Sequence, residues 1–92
     1  MRVRYSKRAT EDLVAITEYI TVRSPSAAIS VEDAIRSVAI QLSIFPFSGR
    51  ETSDPDIRVL SAPRYPYLVF YEVLKNKVVI HHIRHGRRKP IW

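Results

Sequence analysis

Three segments of strand type follow one another with very short connections in the C-terminal third of this chain of 92 residues. Residues 57–62, 67–74 and 78–85 are dense in β-branched and aromatic side chains, which are typical of strands. Two prolines bracket the first connection, and residues 75–77 (Lys-Asn-Lys) form the second. Connections this short join neighbouring antiparallel strands, so the sequence predicts a three-stranded antiparallel meander.

The N-terminal half has the periodicity of two amphipathic helices, preceded by a short extended segment, residues 2–5, that predicts an opening strand. The first helix is predicted over residues 7–22, with Ser6 in the position of an N-cap. Ser24 and the proline after it interrupt the pattern and begin a second helix over residues 25–44. The apolar positions recur every three or four residues: Ala9, Leu13, Ile16 and Ile20 in the first helix, and Ala28, Val31, Ile35, Val38 and Leu42 in the second.

Together these elements predict an α+β fold in which an antiparallel pair of helices covers one face of the sheet. The helices bury their apolar stripes in this way, and the opposite face of the sheet stays at least partly open. Residues 45–56 are rich in turn-forming residues and are expected to form a surface loop. A chain of this size has one small core, which predicts a single domain, residues 1–92. The pattern leaves open which edge of the sheet the first strand joins.

A formal net charge of +6 at pH 7 indicates an anionic partner, such as nucleic acid or an acidic protein, or else a requirement for solubility alone. The basic residues crowd the C-terminus, where Arg84, Arg87 and Arg88 lie beside three histidines. No apolar run approaches the roughly 20 residues of a membrane span, and the N-terminus lacks the apolar region of a signal peptide. The chain has no cysteine, which excludes a disulfide framework and favours a cytoplasmic location.

The three histidines lie within five residues and invite comparison with a metal site. On an uninterrupted strand His81 and His85 share a face, and His82 points the other way. We expect no metal to bind, because no carboxylate or thiolate is close by in sequence and the arginines repel a cation. The chain has only two glycines and lacks a phosphate-binding loop, so we expect no cofactor either.

Basic side chains on the sheet are the remaining candidates for function. Arginine holds phosphate in a bidentate manner, and histidine accepts or donates a proton near pH 7. Such groups bind a partner or target, support in-line cleavage of RNA, or serve only as solvated charges at the rim of the sheet. The aromatic residues Tyr65, Tyr67, Phe70 and Tyr71 either stack nucleobases on the open face or belong to the core. The candidate site residues are Arg58, Arg64, Arg84, His85, Arg87 and Arg88.

Five stretches, in their order and spacing along nearly the whole chain, carry a resemblance to a known family. They read VRYSKRATEDLVAITEYI, SPSAA, IQLSIFPFSGRE, IRVLSAPRYPYLVFYEV and IRHGRRKP. In these stretches the chain resembles the RelE/ParE superfamily, the toxins of type II toxin–antitoxin systems, and within it the ParE-like (plasmid stabilisation) branch. The resemblance implies a strand–helix–helix–three-strand fold, which agrees with the one predicted above.

The resemblance also implies a partner, an antitoxin that wraps the toxin and neutralises it. Such ParD-like antitoxins are usually small, with an acidic toxin-binding segment and a ribbon–helix–helix part that binds DNA. A toxin of charge +6 suits an acidic partner through charge complementarity. The superfamily divides by target: RelE-like members cut messenger RNA in the ribosomal A site, whereas ParE-like members inhibit DNA gyrase and are not known as nucleases.

The pattern of the ribonuclease members is incomplete in this chain. Glu51 stands about where some of them have a glutamate, but Tyr67 begins a Tyr-Leu-Val sequence where they have Arg-Leu-Val. Arg84 and His85 lie near the position of their terminal His-Tyr pair, and the tyrosine is missing. Residues 86–88 (Gly-Arg-Arg) instead match the ending that is common on the ParE-like side. The resemblance therefore favours gyrase as the target.

Three hypotheses remain: a gyrase-binding toxin without chemistry of its own, a ribosome-dependent endoribonuclease, and an inactive remnant that only binds its antitoxin. In the nuclease hypothesis His85 is the acid or base, and Arg58 and Arg84 stabilise the phosphate. In the gyrase hypothesis the C-terminal tail, residues 86–92, matters more.

Overall fold

The predicted helices and the predicted meander are both present in the computed structural model, which describes residues 1–86. Each predicted helix boundary lies within one residue of the observed one, and β3, β4 and β5 pair in antiparallel order. The α+β fold of the sequence analysis is thus confirmed. The elements are β1 (Arg2–Tyr5), α1 (Lys7–Arg23), α2 (Pro25–Ile44), β2 (Arg50–Glu51), β3 (Arg58–Ser61), β4 (Tyr67–Val73) and β5 (Lys77–His85).

The first strand joins the sheet beside the last one. The strand order is β1-β5-β4-β3-β2, and β1 runs parallel to β5, from Arg2 opposite Lys77 to Tyr5 opposite Ile80. A parallel pair needs a long crossover, and here residues 6–76, which include both helices and β2 to β4, separate the two strands. This edge, which the sequence pattern left open, therefore places the first strand beside the last strand of the described residues.

The segment predicted as a plain surface loop contains a fifth strand. Within residues 45–56, β2 pairs antiparallel with β3, with Arg50 opposite Val59 and Glu51 opposite Arg58. A strand of two residues is too short to show any periodicity, so the sequence predicted only a surface loop here and did not predict β2. The result is a mixed five-stranded sheet.

Two serines and a proline set the helix boundaries. The Ser6 hydroxyl accepts a hydrogen bond from the backbone N–H of Ala9 at 3.0 Å, and the Ser24 hydroxyl accepts one from Ala27 at 3.2 Å. Each bond satisfies a donor that a helix N-terminus otherwise leaves without a partner. Because Pro25 has no N–H and a fixed φ, it fits the first turn of α2 directly after Ser24.

The helices cover one face of the sheet and bury their stripes against it. In α2 the whole predicted stripe is buried, whereas in α1 only Ala9 is fully buried and the other stripe residues are partly buried. Each fully buried aliphatic side chain contributes roughly 1.5–3 kcal/mol of transfer free energy, so this layer is the main source of stability. The strand side of the core consists of Val69, Tyr71, Val78, Ile80 and Ile83.

Tyr71 ties the turn before β2 to the core. Its side chain is fully buried, and its hydroxyl accepts a hydrogen bond from the backbone N–H of Gly49 at 2.8 Å. Burial raises the pKa of the Tyr71 phenol, while the bond from Gly49 and the charge of Arg58 act to lower it. A Cβ atom at position 49 would lie 2.5 Å from the phenol oxygen, so only glycine allows this contact.

A β-bulge in β5 changes which side chains face the helices. Phe70 pairs with His82 and Tyr71 pairs with Ile80, so His81 is an extra residue without a cross-strand partner. With strict alternation, His82 would be buried next after Ile80. Because of the extra residue, the buried positions of β5 are instead Val78, Ile80 and Ile83. The expectation that His81 and His85 share a face assumed strict alternation, which the bulge breaks.

In the described part of the chain, no helix has the length and apolar character to cross a bilayer.

Candidate functional site

Three of the candidate residues lie at one end of the sheet, here called the meander end: Arg64, Arg84 and His85. Arg64 is exposed in the connection between β3 and β4, and the other two residues end β5. The backbone N–H of Gly86 donates to the carbonyl of Pro66 at 2.5 Å, which fastens the end of β5 to that connection. Arg87 and Arg88, the other candidates from the tail, lie outside the described residues.

Arg64 has a backbone conformation that arginine rarely adopts. Its φ is 69°, which lies in the left-handed region that favours glycine. Arg64 lies between Pro63 and Tyr65 in the connection from β3 to β4. The end of this connection is held by the hydrogen bond from Gly86 to the carbonyl of Pro66. The bend therefore presents a guanidinium group at the tip of the connection at a cost of about 1 kcal/mol in backbone energy.

Arg84 and His85 point to opposite faces of the sheet. Arg84 pairs with Leu68, and its guanidinium carbon lies 5.2 Å from the centre of the Phe70 ring on the face away from the helices. His85 pairs with Tyr67, and the two rings meet edge to face with centroids 5.3 Å apart. Neighbours in sequence on a strand thus serve different surfaces.

Arg58 lies at the other end of the sheet from Arg84. Two strand spacings of about 4.8 Å and three residues of about 3.4 Å separate their backbones, which places the Cα atoms roughly 14 Å apart. Arg58 pairs with Tyr71 and so lies on the face of the helices, whereas Arg84 lies on the opposite face. The sequence analysis grouped these residues around one phosphate, and the structure does not bring them together.

The Arg58 guanidinium is already engaged by the turn before β2. It donates to the carbonyl of Gly49 at 2.8 Å and lies 3.6 Å from the Glu51 carboxylate. Its guanidinium carbon also lies 5.2 Å from the centre of the Phe47 ring. These contacts give Arg58 a structural function, because they hold the turn against the edge of the sheet.

The aromatic residues divide between the core and the open face. Tyr71 is buried, and Tyr65 and Tyr67 pack against the core on the side of the helices. Phe70 lies on the other face, stacked on the His82 ring with centroids 5.9 Å apart. Of the four aromatic residues proposed for base stacking, three are therefore committed to the core or its margin.

A carboxylate from α1 closes the free edge of β5. β1 pairs with β5 only as far as Ile80, so the following residues of β5 have no strand on that side. Asp12 takes its place: one of its oxygens accepts from the backbone N–H of Ile83 at 3.0 Å and from His82 Nδ1 at 2.6 Å. The sequence carries no local signal of this contact, because the partners are about 70 positions apart in the chain.

Two of the three histidines likewise contact carboxylates. His81 Nε2 lies 2.9 Å from the Glu72 carboxylate, and His82 bonds to Asp12. Among residues 1–86, no group of three or more potential metal-ligating side chains comes together.

A patch of large apolar side chains lies exposed where α2 ends. Four residues, here called the apolar patch, are each about 60% exposed: Ile40 58%, Ile44 63%, Phe45 62% and Phe47 64%. The N-terminal amine donates to the carbonyl of Ser43 beside them at 2.7 Å, and Met1 is itself half exposed. Large exposed apolar side chains of this kind are typical of surfaces that contact another protein. In the sequence, Ile40 and Ile44 lie outside the apolar stripe of α2, and Phe45 and Phe47 follow the end of the helix.

Comparisons with known proteins agree with the fold and the resemblance. Residues 3–90 match the family described as "ParE toxin of type II toxin-antitoxin system, parDE". Toxin RelE2 of Caulobacter vibrioides is 33% identical over 87 residues, which cover 95% of this chain and 97% of that protein. A solved structure titled "Chromosomal ParDE TA system from P. aeruginosa" superposes with a TM-score of 0.81 at 24% identity, covering 92% of this chain and 95% of the other.

The Asp12 contact predicts a large effect on stability. Replacing Asp12 with alanine leaves the N–H of Ile83 and the His82 ring without their acceptor, which should lower the free energy of unfolding by about 2–3 kcal/mol. The control is Glu11→Ala, an exposed carboxylate one residue earlier, which should change it by less than about 0.5 kcal/mol. Urea denaturation followed by circular dichroism measures both. Equal effects of the two substitutions would contradict this account of Asp12.

Proposed function

The chain belongs to the ParE toxin family of type II toxin–antitoxin systems, and from that premise we propose that it inhibits growth by binding DNA gyrase, without a chemical step of its own. The observation that carries the proposal is the separation of Arg58, Arg84 and His85. Cleavage of RNA by a neighbouring hydroxyl needs an acid, a base and cationic groups around a single phosphate. Here the three groups face different surfaces or opposite ends of the sheet.

Two further observations support binding over chemistry. Tyr67 packs against the core and meets the His85 ring, so the strand position that carries arginine in the ribonuclease members supplies no cation here. Arg58 is held by the carbonyl of Gly49 and the carboxylate of Glu51. We therefore propose that the meander end, with Arg87 and Arg88 of the tail, contacts the target in the cytoplasm.

The gyrase proposal predicts a specific pattern of inhibition. Purified toxin should block the supercoiling of relaxed plasmid by gyrase, and it should leave messenger RNA on ribosomes intact. In cells, induction should cause DNA damage signalling before any loss of protein synthesis. The opposite pattern, with cut messenger RNA and normal supercoiling, would support the nuclease hypothesis. Unimpaired growth would indicate the inactive remnant.

Arg64 offers a substitution that removes a charge without strain. Because φ at this position is 69°, Arg64→Gly fits the backbone while deleting the guanidinium group at the meander end. We expect the concentration of toxin that half-inhibits gyrase to rise about tenfold, which corresponds to about 1.4 kcal/mol. Lys75→Ala is the matched control, because this exposed cation lies in the turn at the opposite end of the meander. Full potency of the Arg64→Gly toxin would argue against the meander end as the contact surface.

The second part of the proposal concerns the partner. We propose that a ParD-like antitoxin with an acidic toxin-binding segment covers the apolar patch. The patch supplies aromatic anchors of the kind that dominate protein interfaces. Arg58 lies against Phe47, so the margin of the patch carries a positive charge. A segment with apolar anchors and acidic flanks is complementary to such a surface.

This docking surface predicts a selective loss of affinity. The double substitution Phe45→Ser and Phe47→Ser should weaken binding of the antitoxin encoded beside the toxin at least tenfold, as measured by isothermal titration calorimetry. Both side chains are more than 60% exposed, so the fold should be retained. Val22→Ser is the control, since Val22 is 86% exposed at the far end of α1. Unchanged affinity of the double variant, or an equal loss in the control, would place the antitoxin elsewhere.

A further inference from the structure

An open cleft lies at the edge of the sheet, away from the meander end. It has a volume of about 430 Å³ and is formed by the outer strand β1 and the beginning of β5. We call it the cationic cleft, and its lining residues are Arg2, Arg4, Asn76, Lys77 and Val79. Three of these five side chains are positively charged and none is acidic.

The three cations are held unusually close together by the strand register. Arg2 and Lys77 are directly opposite each other in the parallel pair, and Arg4 is opposite Val79. Arg2 and Arg4 lie on the same face of β1, about 6.6 Å apart along the strand. Like charges in directly opposite positions destabilise a sheet. The repulsion between Arg2 and Lys77 therefore destabilises the fold. Uncharged polar residues at these exposed positions would avoid that repulsion.

No carboxylate within residues 1–86 forms an ion pair with these cations. Glu72 is on the same face, in the β4 position opposite Val79, but its oxygen lies 2.9 Å from His81 Nε2. The cleft therefore concentrates positive charge that the described part of the protein does not neutralise by ion pairing. A bound anion would relieve the repulsion between Arg2 and Lys77.

We propose that the cationic cleft binds the phosphate backbone of duplex DNA. Two guanidinium groups can each hold phosphate oxygens in a bidentate manner, and the Lys77 amine and the Asn76 amide add further donors. Phosphates follow one another every 3.4 Å along the axis of a DNA strand and are further apart in space, because the strand winds around that axis. Cations about 6.6 Å apart on β1 can therefore contact neighbouring phosphates of one strand.

The composition of the cleft favours nucleic acid over an acidic protein. Interfaces with nucleic acid are more polar and far more positively charged than those between proteins, which need apolar anchors at their centre. Val79 is the one apolar side chain of the lining, and it is only partly buried. The apolar patch, by contrast, has four large exposed apolar side chains and so has the composition of a protein interface. The inference does not depend on which enzyme the toxin inhibits.

The test is the salt dependence of DNA binding by the full-length toxin. A fluorescein-labelled 20-bp duplex is titrated between about 50 and 200 mM NaCl, and anisotropy yields the binding constant. The variant Arg2→Ala/Arg4→Ala/Lys77→Ala should bind more weakly at every salt concentration. The slope of log K against log salt should become shallower by about 2.7, because each phosphate contact contributes about 0.9 for duplex DNA.

A matched control separates the cleft from net charge. The variant Lys7→Ala/Arg23→Ala/Arg36→Ala also loses three cations, but it loses them from exposed positions on α1 and α2. Its slope should stay within about 1 of the wild-type slope. Equal changes of slope in the two variants, or no binding by the wild type, would overturn the proposal. Should the cleft variant fail to fold by circular dichroism, Arg4→Ala alone still predicts a change of about 0.9.

A second arm distinguishes DNA from an acidic polypeptide. A glutamate-rich peptide with the same number of negative charges as the duplex should bind more weakly than the duplex. Tighter binding of the peptide, lost only in the cleft variant, would assign the cleft to a protein partner and overturn the DNA assignment. DNA binding without inhibition of gyrase would contradict the proposed function and leave this inference intact, whereas inhibition without DNA binding would do the reverse.

Discussion

The whole sheet is built on β5, because this strand pairs with a neighbour on each side. It hydrogen-bonds in parallel to β1 and in antiparallel to β4, so it joins the first strand of the chain to the meander. Where β1 ends, Ser6 donates its backbone N–H to the carbonyl of Ile80, and Asp12 accepts from the N–H of Ile83. A strand edge that would otherwise be open to other chains is thus covered by the beginning of α1. The helices are placed over the sheet as a consequence.

The bulge at His81 determines which face of the sheet each later residue of β5 occupies. Without the extra residue, Ile83 and His85 would share a face with His81, and Arg84 would lie on the side of the helices. With it, Ile83 enters the core, Arg84 lies over Phe70 on the open face, and His85 meets Tyr67 on the other. Arg84 and His85 face separate surfaces, as neighbours on any strand do, and the bulge determines that Arg84 is the one on the open face.

The elements set by local chemistry could be predicted from the sequence, and those set by distant contacts could not. The apolar stripes and serine caps of α1 and α2 are local features of the sequence. The helix boundaries could therefore be predicted to within one residue. The edge chosen by β1, the two-residue strand β2 and the bulge at His81 depend on partners far along the chain, which a periodicity does not encode. For the same reason the sequence could not show that Arg58 and Arg84 lie at different ends of the sheet. The cationic cleft was missed because Arg2 and Lys77 are brought together only by the crossover.

The bulge at His81 places Arg84 on the open face of the sheet and His85 on the face of the helices, and nuclear Overhauser effects in the isotope-labelled protein test this placement. We expect contacts from the Arg84 side chain to the Phe70 ring, from the His85 ring to the Tyr67 ring, and from the His82 ring to Phe70. Contacts from His85 to Phe70, together with contacts from Arg84 to the Tyr67 ring, would show an uninterrupted strand in the reverse orientation. That result would contradict the account, because the acid–base and cationic groups would then be arranged differently around the open face.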